Sequence, residues 1–307
     1  MIYKSFIPLF ALLVFCIAAY LLYRALSSYE LTKILEAIFA IPRPRLALGA
    51  LFAVASYFLL TLFDALAIRY IGAELPYRYI ALTSFTALGI GHTLGVAAAS
   101  SGAIRYRFYS RWGIGAGDIG RIILFCAMTA GLGLNTLAGL GLLLQANVAA
   151  KLLGFHQAGA IALGGACLVL TASYVILSAV LKEPLAISRW KIPIPPVKLA
   201  LAQISVGTID FCFVAAALYE LLPVAVDVGY FGVATVYVLA NVASIASHVP
   251  GGLGVLEAVV IHVLPEVSVI GALVVFRFIY FLVPFTIAAA LFAISELKQR
   301  RRRPFQP

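Results

Sequence analysis

The stretch 238-VLANVASIASHVPGGLG-254 decides how this chain folds. It begins as an apolar helix, and 248-HVPGGLG-254 then interrupts an apolar region that runs from about 229 to 265. Proline withholds a backbone N–H and glycine weakens a helix, so the helix stops there. Unpaired backbone at membrane depth survives only under protein or water. The reading that follows is a helix that enters the bilayer, stops and returns as a hairpin.

The rest of the sequence supplies the bilayer. Of 307 residues, 64% are hydrophobic and 11% charged, and the mean hydropathy is +1.07. Soluble domains carry about 45–50% apolar and about 25% charged residues. A soluble fold this apolar would expose large patches and aggregate. The hydrocarbon core is about 30 Å thick and takes about 20 apolar residues per helix. Segments of that kind lie at 6–26, 46–71, 79–99, 118–146, 157–181, 197–222 and 268–296, besides the broken region. The predicted fold is all-α: a polytopic transmembrane bundle of about 7–8 spanning helices, with re-entrant or broken helices near 100–112 and 248–264. Residues 1–307 read as a single integral membrane domain, since no polar stretch is long enough for a soluble one. The first segment follows Lys4 like a signal peptide but lacks a small-residue cleavage site, and reads as a first span. The run 30-ELTKILEAIFAIP-42 puts Leu31, Ile34, Leu35 and Ile38 on one face, as an interfacial helix stopped by Pro42 does.

The net charge of +10 does not point to nucleic acid, because the basic residues flank apolar runs and fill the tail 298-KQRRRR-303. Basic residues gather in the loop after the first segment (Arg24, Lys33, Arg43, Arg45), after the third (Arg105, Arg107, Arg111, Arg121) and after the fifth (Lys182, Arg189, Lys191, Lys198). The positive-inside rule places these loops and the tail in the cytoplasm. Eight simple crossings cannot satisfy both, whereas a hairpin at 229–265 makes the number of crossings odd and repairs the parity.

A second run, 89-GIGHTLGVAAASSGAIR-105, has a similar plan: an apolar helix, a polar residue (His92, matching Asn241), ten residues to a glycine (Gly102, matching Gly251), then a new helix. Paired interrupted helices mark the substrate site in many transporters. Half-helices starting at such breaks aim N–H groups at an anion, and the membrane's own anion is a lipid phosphate. Arg105, followed by an aromatic belt with Arg107 and Arg111, is placed to meet it. Asp64, Asp210, Glu257 and Arg277 are ionisable residues within spans, and such residues need partners. For each, a structural ion pair and a transport role both stand; Asp210 with Arg277 is one geometrically allowed pair. His92 and His248 read as satisfied polar groups near turns rather than a metal site. The four cysteines have no metal-ligand spacing, and no HExxH, GxSxG, P-loop or GxGxxG context occurs.

The runs 63-FDALAIRYIG-72, 102-GAIRYRFYS-110, 241-NVASIASHVPGGLGVLEAVV-260 and 276-FRFIYFLVPF-285 resemble the lysylphosphatidylglycerol synthase transmembrane-region family, the flippase-like membrane module of the multiple peptide resistance factor. The resemblance runs from about residue 10 to 296, and SHVPGGLGVLE is its most specific part. It implies movement of aminoacylated phospholipid between leaflets of a bacterial inner membrane. Asp64, Arg105, Gly251, Gly252, Glu257 and Arg277 fall in the matching motifs, and Asp210 matches loosely. The bifunctional members carry a synthase domain that does not follow here, so the chain is not expected to make the lipid itself.

The expectation is a non-enzymatic phospholipid flippase-like transporter without cofactor or metal. Its binding residues would be Asp64, His92, Arg105, Asp210, Asn241, His248, Gly251, Gly252, Glu257 and Arg277. Its partners would be phospholipid, a second copy packed on the glycine-rich segment 118–146, and a separately encoded lipid-modifying enzyme. A non-catalytic scaffold for such an enzyme is the rival reading.

Overall fold

The computed structural model describes residues 31–94, 97–154, 156–181, 185–187, 190–192, 194–223, 228–247, 252, 254–264 and 267–302. The expected span at 6–26, His248 and Gly251 lie outside them. The described chain is helical except for a small antiparallel hairpin in the proline-rich loop, β1 (Leu185–Ile187) against β2 (Trp190–Ile192). Among the described residues, six helices are long and apolar enough to cross a membrane. They are α2 (Arg43–Tyr70), α5 (Ala116–Leu144), α7 (Gln157–Val180), α8 (Val197–Leu221), α9 (Tyr230–Ser247) and the joined α11 (Val267–Arg277) and α12 (Val283–Arg302). The polytopic all-α class is therefore correct. Short helices fill the gaps: α1 (Leu31–Phe39), α3 (Tyr77–Leu94), α4 (Ala97–Tyr109), α6 (Ala146–Leu153) and α10 (Val255–Val263). A π-helical turn, Phe278–Leu282, joins α11 to α12.

Side-chain contacts fix the direction of each span. Arg45 at the start of α2 reaches the Tyr219 and Leu222 carbonyls at the end of α8, and Ser56 meets Asp210, so these helices run antiparallel. Gln203 of α8 bonds to Thr129 and the Phe125 carbonyl of α5, so α5 and α8 run parallel. Gly133 and Gly207 let those two backbones touch: a Cβ on Gly133 would fall on the Gly207 carbonyl group. The Asn135 amide donates to the Cys167 carbonyl and to Thr171, setting α7 antiparallel to α5. Three glycines of the 118–146 segment thus face the same chain: Gly133 on Gly207, Gly139 on Gly164 and Gly141 on Thr235.

The segment expected to cross at 79–99 does not. α3 ends at Leu94, and α4, starting at Ala97, folds back along it. Ile104 and Phe108 of α4 pack with Ala87 and Ile90 of α3. Trp112 then meets Tyr79 at 4.8 Å between ring centroids, so the return arm ends level with the start of α3. The expected layout had the new helix starting after Gly102. Gly102 instead lies inside α4, where it admits Ile123 of α5. The same cap closes both ends of this excursion. Gly72 and Gly113 adopt positive φ (71° and 84°), and the next residue's N–H reaches back five residues, Ala73 to Ile68 and Ile114 to Tyr109.

The expected second hairpin is present. α9 starts at the α8 C-terminal end, where the Tyr230 ring lies 6.0 Å from that of Tyr219 and its hydroxyl reaches along α8 to donate to the Cys212 carbonyl. Arg277, at the end of α11, touches Gly252 and Glu257 at the start of α10. Hence α10 runs antiparallel to α11 and returns toward the end from which α9 came.

Span, hairpin, span therefore occurs twice with opposite orientation: α2, α3–α4, α5 and then α8, α9–α10, α11–α12. The two hairpins enter from opposite ends of the bundle. This corrects the parity argument. The first excursion is a hairpin too, so Arg43 and Arg45 lie at the end opposite Arg107, Arg111 and Lys298. Arg45 has a local reason to be there, because it covers carbonyls that the end of α8 leaves open.

Candidate functional site

Two arginine–carboxylate pairs are built into the hairpins. On the first, α2 carries Asp64 and the return arm α4 carries Arg105. The guanidinium donates through Nε at 2.9 Å and an Nη at 2.7 Å, one bond to each carboxylate oxygen. The Tyr109 hydroxyl, one turn along α4, donates to Asp64 at 2.8 Å. Asp64 is fully buried and Arg105 is 2% exposed. Bidentate geometry with a third donor is what makes two buried charges tolerable.

On the second hairpin the roles are reversed. The return arm α10 carries Glu257, and the span α11 carries Arg277. Nε of Arg277 donates at 2.7 Å and an Nη at 3.1 Å to Glu257, and the same Nη donates at 3.0 Å to the Gly252 carbonyl. Glu257 also accepts the Gly254 N–H at 2.9 Å, answering a free donor at the α10 N-terminus. The partner considered for Arg277 was Asp210. The structure gives Arg277 to Glu257 instead, because the hairpin turn brings α10 alongside α11.

Asp210 sits between the pairs, buried where α2, α8 and the π turn meet. The Ser56 hydroxyl donates to it at 2.5 Å and lies 2.9 Å from the Tyr280 hydroxyl. The π turn has a sequence cause: Pro284 cannot donate to the Tyr280 carbonyl four residues before it. The Tyr57 hydroxyl donates to that carbonyl at 3.1 Å. His92, near the tip of the first hairpin, has its ring 6.4 Å from that of Tyr57. Tyr280 is one turn from Arg277, which holds Gly252 at the second tip. Both tips therefore attach to the same level of the central spans. Asn241 donates to the Tyr237 carbonyl within its own helix.

Arg107 and Arg111 belong to a separate cluster. Both pair with Glu296, which is 3% exposed, near the end of α12. Sequence reasoning missed Ser56, Tyr57, Tyr280 and Glu296, and read Tyr109 only as part of the interfacial aromatic belt. A hydroxyl in an apolar helix has no sequence signal of its own, although Tyr280 does lie in the quoted FRFIYFLVPF run. Of the expected phosphate donors, Arg105 is paired with Asp64, and the Gly254 N–H at the α10 N-terminus with Glu257.

Among the described residues, five apolar spans and two opposed re-entrant hairpins, each tied to a span by a charge pair, define a multi-pass membrane protein with a polar interior. No family model matches the chain. Protein slr0712 of Synechocystis sp. is 34% identical over 286 residues, covering 90% of this chain and 87% of that protein. The inner membrane protein YbhN of Escherichia coli is 31% identical over 258 residues, covering 81% of this chain and 80% of that protein. The chain belongs to the family of these two proteins and is a multi-pass protein of the bacterial inner membrane.

Proposed function

We propose that this protein is a phospholipid transporter of the flippase type, moving phospholipid, aminoacylated or plain, between leaflets of the inner membrane without altering it. One observation carries the reading. Two re-entrant hairpins enter from opposite ends, and each is latched to a span by an arginine–carboxylate pair, buried for Asp64–Arg105 and half-buried for Glu257–Arg277. Inverted repeats of broken helices are a transporter architecture. An arginine in such a pair suits a lipid phosphate, which like a carboxylate offers two oxygens to a bidentate guanidinium. In this reading the headgroup enters beside a hairpin tip and takes the arginine from its carboxylate, and the freed carboxylate meets a cationic headgroup group where there is one. The Ser244 hydroxyl is near the second tip and, among the described residues, is buried without a hydrogen-bond partner. It offers the headgroup a further contact. The resemblance of the SHVPGGLGVLE run to the lysylphosphatidylglycerol synthase transmembrane region supports the same substrate class.

The test is leaflet exchange of fluorescent phosphatidylglycerol and phosphatidylethanolamine in vesicles with reconstituted protein. Exchange above protein-free vesicles, lost in Arg105→Gln and Arg277→Gln variants that remain folded, is the expected result. Exchange no faster than in empty vesicles would sink the proposal. Whole-lipid extracts from cells with and without the gene separate relocation from synthesis: a lipid that is missing, rather than displaced, would make the protein an enzyme or an enzyme's subunit.

A further inference from the structure

Asp210 differs from the other deeply placed carboxylates. Asp64 has Arg105, Glu257 has Arg277, and Glu296 has Arg107 and Arg111. Among the described residues no cation lies within ion-pair distance of Asp210, which is 3% exposed. It contacts hydroxyls instead. Ser56 bonds to it at 2.5 Å, within the range of a bond to an ionised acceptor, and Tyr280 lies 2.9 Å beyond Ser56. The groups facing Asp210 carry no positive charge: Ser56 and Tyr57 from α2, Tyr280 from the π turn, Tyr237 from α9 and Cys212 on its own helix. From α5 and α7, Thr129 and Tyr174 bind Gln203, seven residues before Asp210.

An ionised carboxylate without a cation in a membrane interior is costly, and a bound proton removes that cost. Proton binding would also change the hydroxyl chain. With Asp210 ionised, Ser56 must donate to it, so Tyr280 donates to Ser56. With Asp210 protonated, its own O–H can donate to Ser56, and Ser56 is free to donate to Tyr280. Both steps move hydrogen bonds only, and no covalent bond other than that to the proton changes. The chain joins α2 of the first repeat to α8 and the π turn of the second, so its polarity bears on how the two repeats hold together. A sodium ion would need a shell of several oxygens, and the contacts around Asp210 supply two hydroxyls.

We infer that Asp210 is a reversible proton-binding site that links proton movement to the relative arrangement of the two repeats. The inference deepens the transporter reading, and its second experimental arm rests on that reading; its first does not. In the first arm, infrared spectra of lipid-embedded protein are recorded across pH. A protonated-carboxyl band that titrates in the wild type, shifts in Asp210→Glu and disappears in Asp210→Asn supports the assignment. The absence of any Asp210-dependent band at every pH where the protein stays folded overturns it. Loss of the Tyr280 hydroxyl in Tyr280→Phe should move the midpoint, and this variant keeps the carboxylate should Asp210→Asn fail to fold. In the second arm, lipid exchange is followed under pH gradients of either sign, with and without sodium. Several-fold rate changes with gradient direction in the wild type, abolished in Asp210→Asn, support coupling. Exchange indifferent to pH, or following sodium alone, overturns it. If the wild type exchanges no lipid, the transporter reading falls, and the infrared arm alone decides the proton site.

Discussion

Breaking the Asp64–Arg105 pair gives the sharpest test of how this bundle holds its interior charges. In Arg105→Gln, Asp64 keeps the Tyr109 hydroxyl but loses two charge-assisted bonds of 2.9 and 2.7 Å. In Asp64→Asn, Arg105 faces a neutral amide at a site where it is 2% exposed. Removing one partner of a buried pair typically costs about 3–5 kcal/mol, because the survivor is left charged and uncompensated. At about 1.4 kcal/mol per tenfold, that is about two to three and a half orders of magnitude in the folding equilibrium. The double variant Asp64→Asn, Arg105→Gln strands no charge and should recover at least about 2 kcal/mol relative to the worse single variant. Equilibrium unfolding in mixed micelles by a denaturing detergent reads these differences. Trp112 is a suitable local reporter, since it packs on Tyr79 and Tyr109 beside the pair. Single variants costing under about 1 kcal/mol, or a double variant costing the sum of both, would refute the argument that the pair closes a dry interior.

Other consequences follow from particular contacts. Gly133→Ala should cost more than about 2 kcal/mol in the same unfolding assay, since its Cβ would meet backbone of α8 that cannot move aside, whereas Gly131→Ala, with nothing within 4 Å, should be near neutral. Tyr57→Phe should cost about 1 kcal/mol through the Tyr280 carbonyl, and that cost should shrink in a Pro284→Ala background, where a helix N–H can take over the bond; equal costs in both backgrounds would mean that the π turn does not arise from the proline. Membrane-impermeant labelling of single cysteines should find Lys151→Cys reactive from one side and Lys198→Cys and Lys298→Cys from the other, and reactivity of all three from one side would contradict the inverted repeat.

Some features were legible because they are local. Apolar runs with charges at their ends specify bilayer-crossing helices, since the period and length of a helix and the thickness of a bilayer leave little freedom. The second break was equally plain, as proline and two glycines interrupt the helix chemically. The first was misplaced because 89-GIGHTLGVAAASSG-102 offers several glycines and no proline, and any of them could end a helix. Only packing chose: Gly89 lies against Pro284 and Ala288, and Gly102 admits Ile123, which keeps both inside helices.

The pairing of charges was not legible at all. The sequence by itself determined that Asp64, Arg105, Asp210, Glu257 and Arg277 lie within membrane-embedded segments and so require partners. It could not say which, because the separations run from 20 residues for Glu257–Arg277 to 41 for Asp64–Arg105 and 154 for Ser56–Asp210. No helical period reaches so far. The tertiary structure decided it by folding two return arms against spans. That satisfied four of the five with each other and left Asp210 among hydroxyls between them.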